Sequence, residues 1–107
     1  FTQFARVNLT EITAWLHYVT GWDVTIDELM LTGERISNLK RLYNVRLGMS
    51  RKDDTLPPRL LTHRRGTGGT PDNLPHLGRM LADYYAYRQW DEEGIPTPAK
   101  LEELDLP

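Results

Sequence analysis

The sequence predicts an all-α fold, a small orthogonal bundle of about four helices with a long central loop. Three observations predict it. Apolar residues recur at helical intervals in separate stretches, cap and stop residues bracket those stretches, and no run shows the strict alternation of a strand.

The first helix is expected from about Leu9 to Thr20. Leu9, Ile12, Leu16 and Val19 recur on one side with Trp15 beside them, Asn8 or Thr10 supplies a cap, and Gly21 a stop. The second opens on Thr25-Ile26-Asp27-Glu28, a capping-box pattern whose Thr25→Ala replacement should cost about 1 kcal/mol. Val24 and Leu29 stand at the positions of the accompanying hydrophobic staple. From there Leu29, Gly33, Ile36, Leu39, Leu42 and Tyr43 fall on one side to about Leu47, with the end at Gly48. Gly33, costly inside a helix, reads as a point of close helix packing.

Met49 to Asn73 reads as the central loop. Pro57-Pro58 is expected to forbid helix there, because each ring removes an amide donor and restricts the residue before it. Arg64-Arg65-Gly66-Thr67-Gly68-Gly69-Thr70-Pro71 has the composition of a surface loop. Asn73 is the expected cap of a third helix, with Pro75 in its first turn and Leu77, Met80, Leu81, Tyr84, Tyr85 and Arg88 following to near Trp90. Gly94 and Pro96 mark the exit. Thr97-Pro98 then starts a short fourth helix with Leu101 and Leu104 inward.

At 107 residues the chain suits one domain, 1–107, with a modest core. Apolar content of 39% with 26% charge is ordinary for a globular protein and argues against disorder. No apolar run approaches the ~20 residues that span a bilayer, so no membrane partner is expected. No signal-peptide pattern opens the chain. It begins at Phe1 without an initiator Met, which suggests a piece of a longer chain. The absence of cysteine removes disulfides, thiolate zinc sites, nucleophilic thiols and the thiolates that hold an iron–sulfur cluster.

The net charge of −2 is unevenly spread: nine of the thirteen basic residues lie between Arg35 and Arg65, while Asp91 to the end carries six acids and one Lys. Such asymmetry fits a nucleic-acid surface, two ends of one fold that neutralise each other, or a face against another domain. No companion motif supports nucleic acid.

Candidate chemistry is sparse. Asp53-Asp54 offers two carboxylates for a divalent ion or a base, but adjacent side chains diverge and no third ligand stands nearby. The structural reading has them capping a turn and pairing with Arg59. His17, His63 and His76 lack the spacing that sets two imidazoles on one helix face. Arg64 with Gly66, Gly68 and Gly69 matches neither a P-loop nor a dinucleotide fingerprint. Of the aromatics, Tyr84 and Tyr85 are expected in the core beside Met80 and Leu81. Tyr87 and Trp90 suit a partner surface, and Trp15 and Trp22 complete the group.

Several blocks in fixed order carry more information than any of these. They are Trp22-Asp23, Gly33-Glu34-Arg35-Ile36, Asn38, Arg41-Leu42-Tyr43-Asn44, Asp53-Asp54-Thr55-Leu56-Pro57, Tyr84-Tyr85 and Trp90-Asp91-Glu92-Glu93-Gly94-Ile95-Pro96. From about Ala14 to Leu106 their order and spacing resemble the C-terminal end of the aldehyde ferredoxin oxidoreductase family; His63 to Asp72 departs from it. The resemblance implies a C-terminal part of the third domain of an enzyme that oxidises aldehydes to carboxylic acids. The parent would use a tungsten- or molybdenum-bis-pterin centre and pass electrons through a 4Fe–4S cluster to ferredoxin or a similar carrier.

The family's Asp-x-x-Gly-x-Cys-like motifs have no counterpart here, and by the family's order the last should fall just upstream of Phe1. The segment is therefore expected to be inactive alone, with no catalytic, cofactor-binding or metal-ligating residue. Its expected role is scaffold, with a wall of the substrate channel near Phe1 to Phe4. Its expected partners are the remaining domains, in the cytoplasm. Phe1, Phe4, Val7 and Leu9, with Trp15 at the edge, form an apolar start that would support a homo-oligomer. The competing reading is an independent interaction module that binds nucleic acid through 35–65.

Overall fold

The computed structural model describes residues 7–70 and 72–107. Among them are five α-helices: α1 (Leu9–Thr20), α2 (Ile26–Arg46), α3 (Pro58–Thr62), α4 (Leu77–Arg88) and α5 (Pro98–Glu103). A 3-10 turn over Arg51–Asp53 lies between α2 and α3. The described residues contain no strand, only an isolated antiparallel bridge between Trp90 and Pro96. The all-α expectation holds.

The chain divides into two compact units within α2, Phe1–Ser37 and Asn38–Pro107. In the first, α1 keeps the bounds its caps predict. Asn8 Oδ1 accepts from the Glu11 amide at 3.0 Å while Glu11 Oε2 accepts from the Asn8 amide at 2.8 Å, and Gly21 closes the helix at φ +75°. The Thr25–Glu28 capping box forms as expected: Glu28 Oε2 accepts from the Thr25 amide at 2.8 Å, and Thr25 Oγ1 from the Glu28 amide at 3.2 Å. The backbone hydrogen bond from Thr25 and that from its hydroxyl hold the Glu28 carboxyl below its ordinary range.

No residue of α1 is buried. Trp15, Tyr18, Val19 and Trp22 are 52%, 80%, 84% and 65% exposed, so the described part of this unit has apolar faces without a core between them. Gly33, expected at a close packing point, has no described atom within 4 Å of the position a Cβ would take. Phe1 and Phe4 lie outside the described residues.

The second unit has a core of unusual composition: Tyr85 and Leu104 are buried with Asn38, Arg41 and Lys100. Here the helical periodicity of α2 misleads. Ile36, Leu39 and Tyr43 are about half exposed or more, while the polar Asn38 and Arg41 point inward. On α4, likewise, only Tyr85 is buried, and Met80 and Tyr84 remain exposed.

Two further expectations are corrected. Pro57-Pro58 does not forbid helix, because Pro58 occupies the first position of α3, where its missing amide donor is not needed and its fixed φ suits the turn. Asn73 does not cap the next helix, since α4 begins only at Leu77 after His76, leaving Pro75 outside it. The end of α4 comes at Arg88, where Gln89 adopts φ 56°. Thr97 Oγ1 caps α5 by accepting from the Lys100 amide at 3.3 Å, with Leu104 almost wholly buried beyond it.

Candidate functional site

The second unit is organised around Arg41. Its Nη1 and Nη2 donate to Asp54 Oδ1 and Oδ2 at 2.8 and 2.5 Å, a two-pronged pairing of planar groups. Its Nε donates to the Gly94 carbonyl at 2.7 Å. Tyr85 Oη donates to the same Asp54 Oδ2. One carboxylate thus ties α2 to α4, and one guanidinium ties both to the loop that follows α4.

That loop is shaped by Asp91, whose Oδ1 accepts from the amides of Glu93 and Ile95, both at 2.9 Å. Gly94 turns at φ +76°, which brings its backbone against Arg41 and Tyr85. The Asp53 and Asp54 side chains diverge, as adjacent residues should. Asp53 Oδ2 accepts from the Ser50 amide at 2.9 Å and shapes the 3-10 turn, which leaves Asp54 aimed at Arg41.

Aromatic rings enclose the pair. The Arg41 guanidinium stands 5.0 Å from the Trp90 ring centroid and that of Arg51 5.1 Å from Tyr85. Arg51 also donates to the carbonyls of Glu92 and Gly78, each at 3.2 Å. Trp90 Nε1 donates to Asn38 Oδ1 at 2.8 Å, and its ring meets Tyr84 edge-on at 5.7 Å. Trp90, a candidate for a partner surface, is therefore an internal clasp, whereas Tyr87 is 82% exposed.

The electrostatics oppose acid–base chemistry at neutral pH. Burial pushes the Asp54 carboxyl up, but hydrogen bonds from Arg41 and Tyr85 and the charges of Arg41 and Arg51 outweigh it and hold the group below the usual carboxylate range. Burial, then the hydrogen bond to Asp54 and its charge, push the Tyr85 phenol up. The hydrogen bond to Asp54 raises Arg41 against the effect of burial. All three move away from neutrality, the reverse of what a general acid or base requires. The cluster fixes geometry.

The other candidates stay apart. His17 Nδ1 lies 3.1 Å from Asp23 Oδ1 in the first unit. His63 is on the exposed loop after α3, and His76 precedes α4 without capping it through its side chain. Among the described residues no three His, Asp or Glu side chains gather as a metal site. Arg59 is not the partner of the aspartates; Arg41 takes that place. Sequence reading misses Arg41 and Asn38 as buried residues, since helical periodicity assigns the inward face to apolar positions. The only signal is their presence in the ordered blocks.

Two helical units, one of them locked by a closed guanidinium–carboxylate–phenol network, define a scaffold. The chain belongs to the aldehyde ferredoxin oxidoreductase family: the model described as "Aldehyde ferredoxin oxidoreductase, domains 2 & 3" matches residues 1–106. It is 37% identical over 107 residues to a tungsten-containing aldehyde ferredoxin oxidoreductase of Pyrococcus horikoshii, covering 99% of this chain and 18% of that protein. To the protein of the same description from Pyrococcus furiosus it is 39% identical over 92 residues, covering 85% of this chain and 15% of the relative. A third, from Thermococcus kodakarensis, is 37% identical over 92 residues. The chain thus spans 18% or less of the length of these relatives. No helix among the described residues is long and apolar enough to cross a membrane.

Proposed function

We propose that this chain is a scaffold segment of an enzyme that oxidises aldehydes to carboxylic acids. When bound, a tungsten- or molybdenum-pterin group supplies the two-electron step, with water providing the oxygen and two protons and two electrons leaving, the electrons through an iron–sulfur cluster to ferredoxin or a similar carrier. With no cysteine, the chain supplies no thiolate to the iron–sulfur cluster. No step is assigned to its residues.

What these residues do is hold position. The Arg41–Asp54–Tyr85 network is the observation that carries the reading, because it joins α2, α4 and the 91–96 loop through hydrogen bonds that favour the charged forms of Arg41 and Asp54. The exposed apolar residues of α1 fit the same role, as a face that other domains of the parent cover. Apolar patches of this kind mark interaction surfaces. Arg41 and Arg51 are engaged internally, so the basic stretch offers fewer cations to nucleic acid than its sequence suggests, and no observation favours that reading.

The test is expression of the full-length protein that contains this segment. Expected are tungsten or molybdenum with iron on elemental analysis and aldehyde-dependent reduction of a low-potential one-electron acceptor. Metal-free protein that turns over no aldehyde, after reconstitution attempts, overturns the proposal. The 107-residue chain alone is expected to give neither result.

A further inference from the structure

The displacement of Arg59 from the expected aspartate pairing leaves it elsewhere, and its surroundings are specific. Arg59, Leu60, His63, Arg64 and Arg65 line a cleft of about 380 Å³ at the end of α3. Three arginines and a histidine therefore line one concave surface. The Arg59 and Arg65 guanidiniums make no hydrogen bond or ion pair among the described residues. Arg64 is 3.9 Å from Asp72 Oδ1, with side chains 64% and 73% exposed, a contact too loose and too wet to neutralise the cleft.

Like charges that share a cleft repel one another and raise the local potential, which concentrates anions there. Guanidinium groups present paired donors that match the oxygens of a phosphate, and several together discriminate a dianion from chloride. Leu60 gives the cleft one apolar wall, which suits an ester group or ring attached to the phosphate. The volume is that of a small-molecule site.

We propose that the Arg59–His63–Arg64–Arg65 cleft binds a phosphate-bearing small molecule, the phosphate held between Arg59 and Arg65. Arg64 adds charge from the side and exchanges its loose contact with Asp72 for the ligand. The site is independent of aldehyde chemistry and of the Arg41 network.

The test uses the full-length protein, titrated with inorganic phosphate and, separately, with a nucleoside monophosphate, by calorimetry at constant ionic strength maintained with sodium chloride. Saturable binding is expected, weakened about tenfold or more by Arg59→Gln or Arg65→Gln, the scale of one lost charge-assisted hydrogen bond. Tighter binding of the nucleotide than of inorganic phosphate indicates use of the Leu60 wall, and equal binding assigns the site to free phosphate. Arg79→Gln, at an exposed residue elsewhere, should leave binding unchanged. Arg59 and Arg65 are both exposed, and circular dichroism checks that the variants stay folded. Heat reproduced by sodium chloride alone, binding unaffected by either variant, or duplex DNA binding lost in the variants while phosphate does not bind, overturns the proposal.

Discussion

Arg41 and Asp54 meet fork to fork, Nη1 to Oδ1 at 2.8 Å and Nη2 to Oδ2 at 2.5 Å, with only 7% and 19% of their side chains exposed. Thirteen positions separate them in sequence. The pairing requires the 3-10 turn to reverse the chain after α2, so it reports whether the whole second unit is assembled. Burial makes it costly to break: removing one partner strands the other's charge away from water.

Arg41→Ala should therefore destabilise the second unit by about 3 kcal/mol, within the range for a buried pair losing one partner. Arg41→Lys should recover only part of this, because a single ammonium cannot reach both carboxylate oxygens and the Gly94 carbonyl. Native-state hydrogen exchange of the amides of α4 reads the local opening free energy directly. Equal protection in wild type and Arg41→Ala counts against the network's role.

The pH dependence follows from the two displaced groups. Asp54 is held low, so its contribution is present above about pH 4 and is lost as pH falls through its lowered folded value. Tyr85 is held high, so its contribution is present below about pH 10 and disappears as pH rises through its raised folded value. Exchange protection of α4 should form a plateau between these limits. Tyrosinate absorbance should show the Tyr85 phenol ionising late, and Asp54→Asn should shorten that delay without abolishing it, because burial remains.

Legibility in the sequence depends on the range of the interaction. The Leu9–Thr20 bounds of α1, the Thr25–Glu28 box and the Thr97-Pro98 start are readable because cap and helix lie within a few residues of each other. The start of α4 is not, since Asn73 and Pro75 offer a cap pattern that the chain does not use. The interior of α2 misleads for a different reason. Periodicity assumes that apolar residues face the nearest core, yet here Leu39 and Tyr43 stay exposed while Asn38 and Arg41 turn inward to Trp90 and Asp54. Polar burial of that kind depends on partners more than ten positions away, which no local pattern encodes. The ordered blocks identify the family without revealing which of their residues meet.

Gly33 and Gly94 should respond oppositely to alanine. At Gly33, inside α2 with open space at the Cβ position, Gly33→Ala should stabilise by about 1 kcal/mol through helix propensity. Thermal unfolding of the protein carrying the segment would show a small rise or none, and a clear fall would mean that another part of the parent packs against this glycine.

At Gly94 the constraints act together. Its φ of +76° disfavours any L side chain, and an added Cβ would overlap the Arg41 guanidinium and come within 2.8 and 2.9 Å of Tyr85 Cζ and Oη. Backbone strain alone costs about 1 kcal/mol, and relieving the overlap requires Arg41 or Tyr85 to leave Asp54. Gly94→Ala should thus destabilise at least as much as Arg41→Ala, and the double variant should lose less than the sum, because both changes break the same contacts. The comparison is a double-mutant cycle read by hydrogen exchange in α4. Strict additivity would show that Gly94 acts through its own turn, independently of the guanidinium it touches.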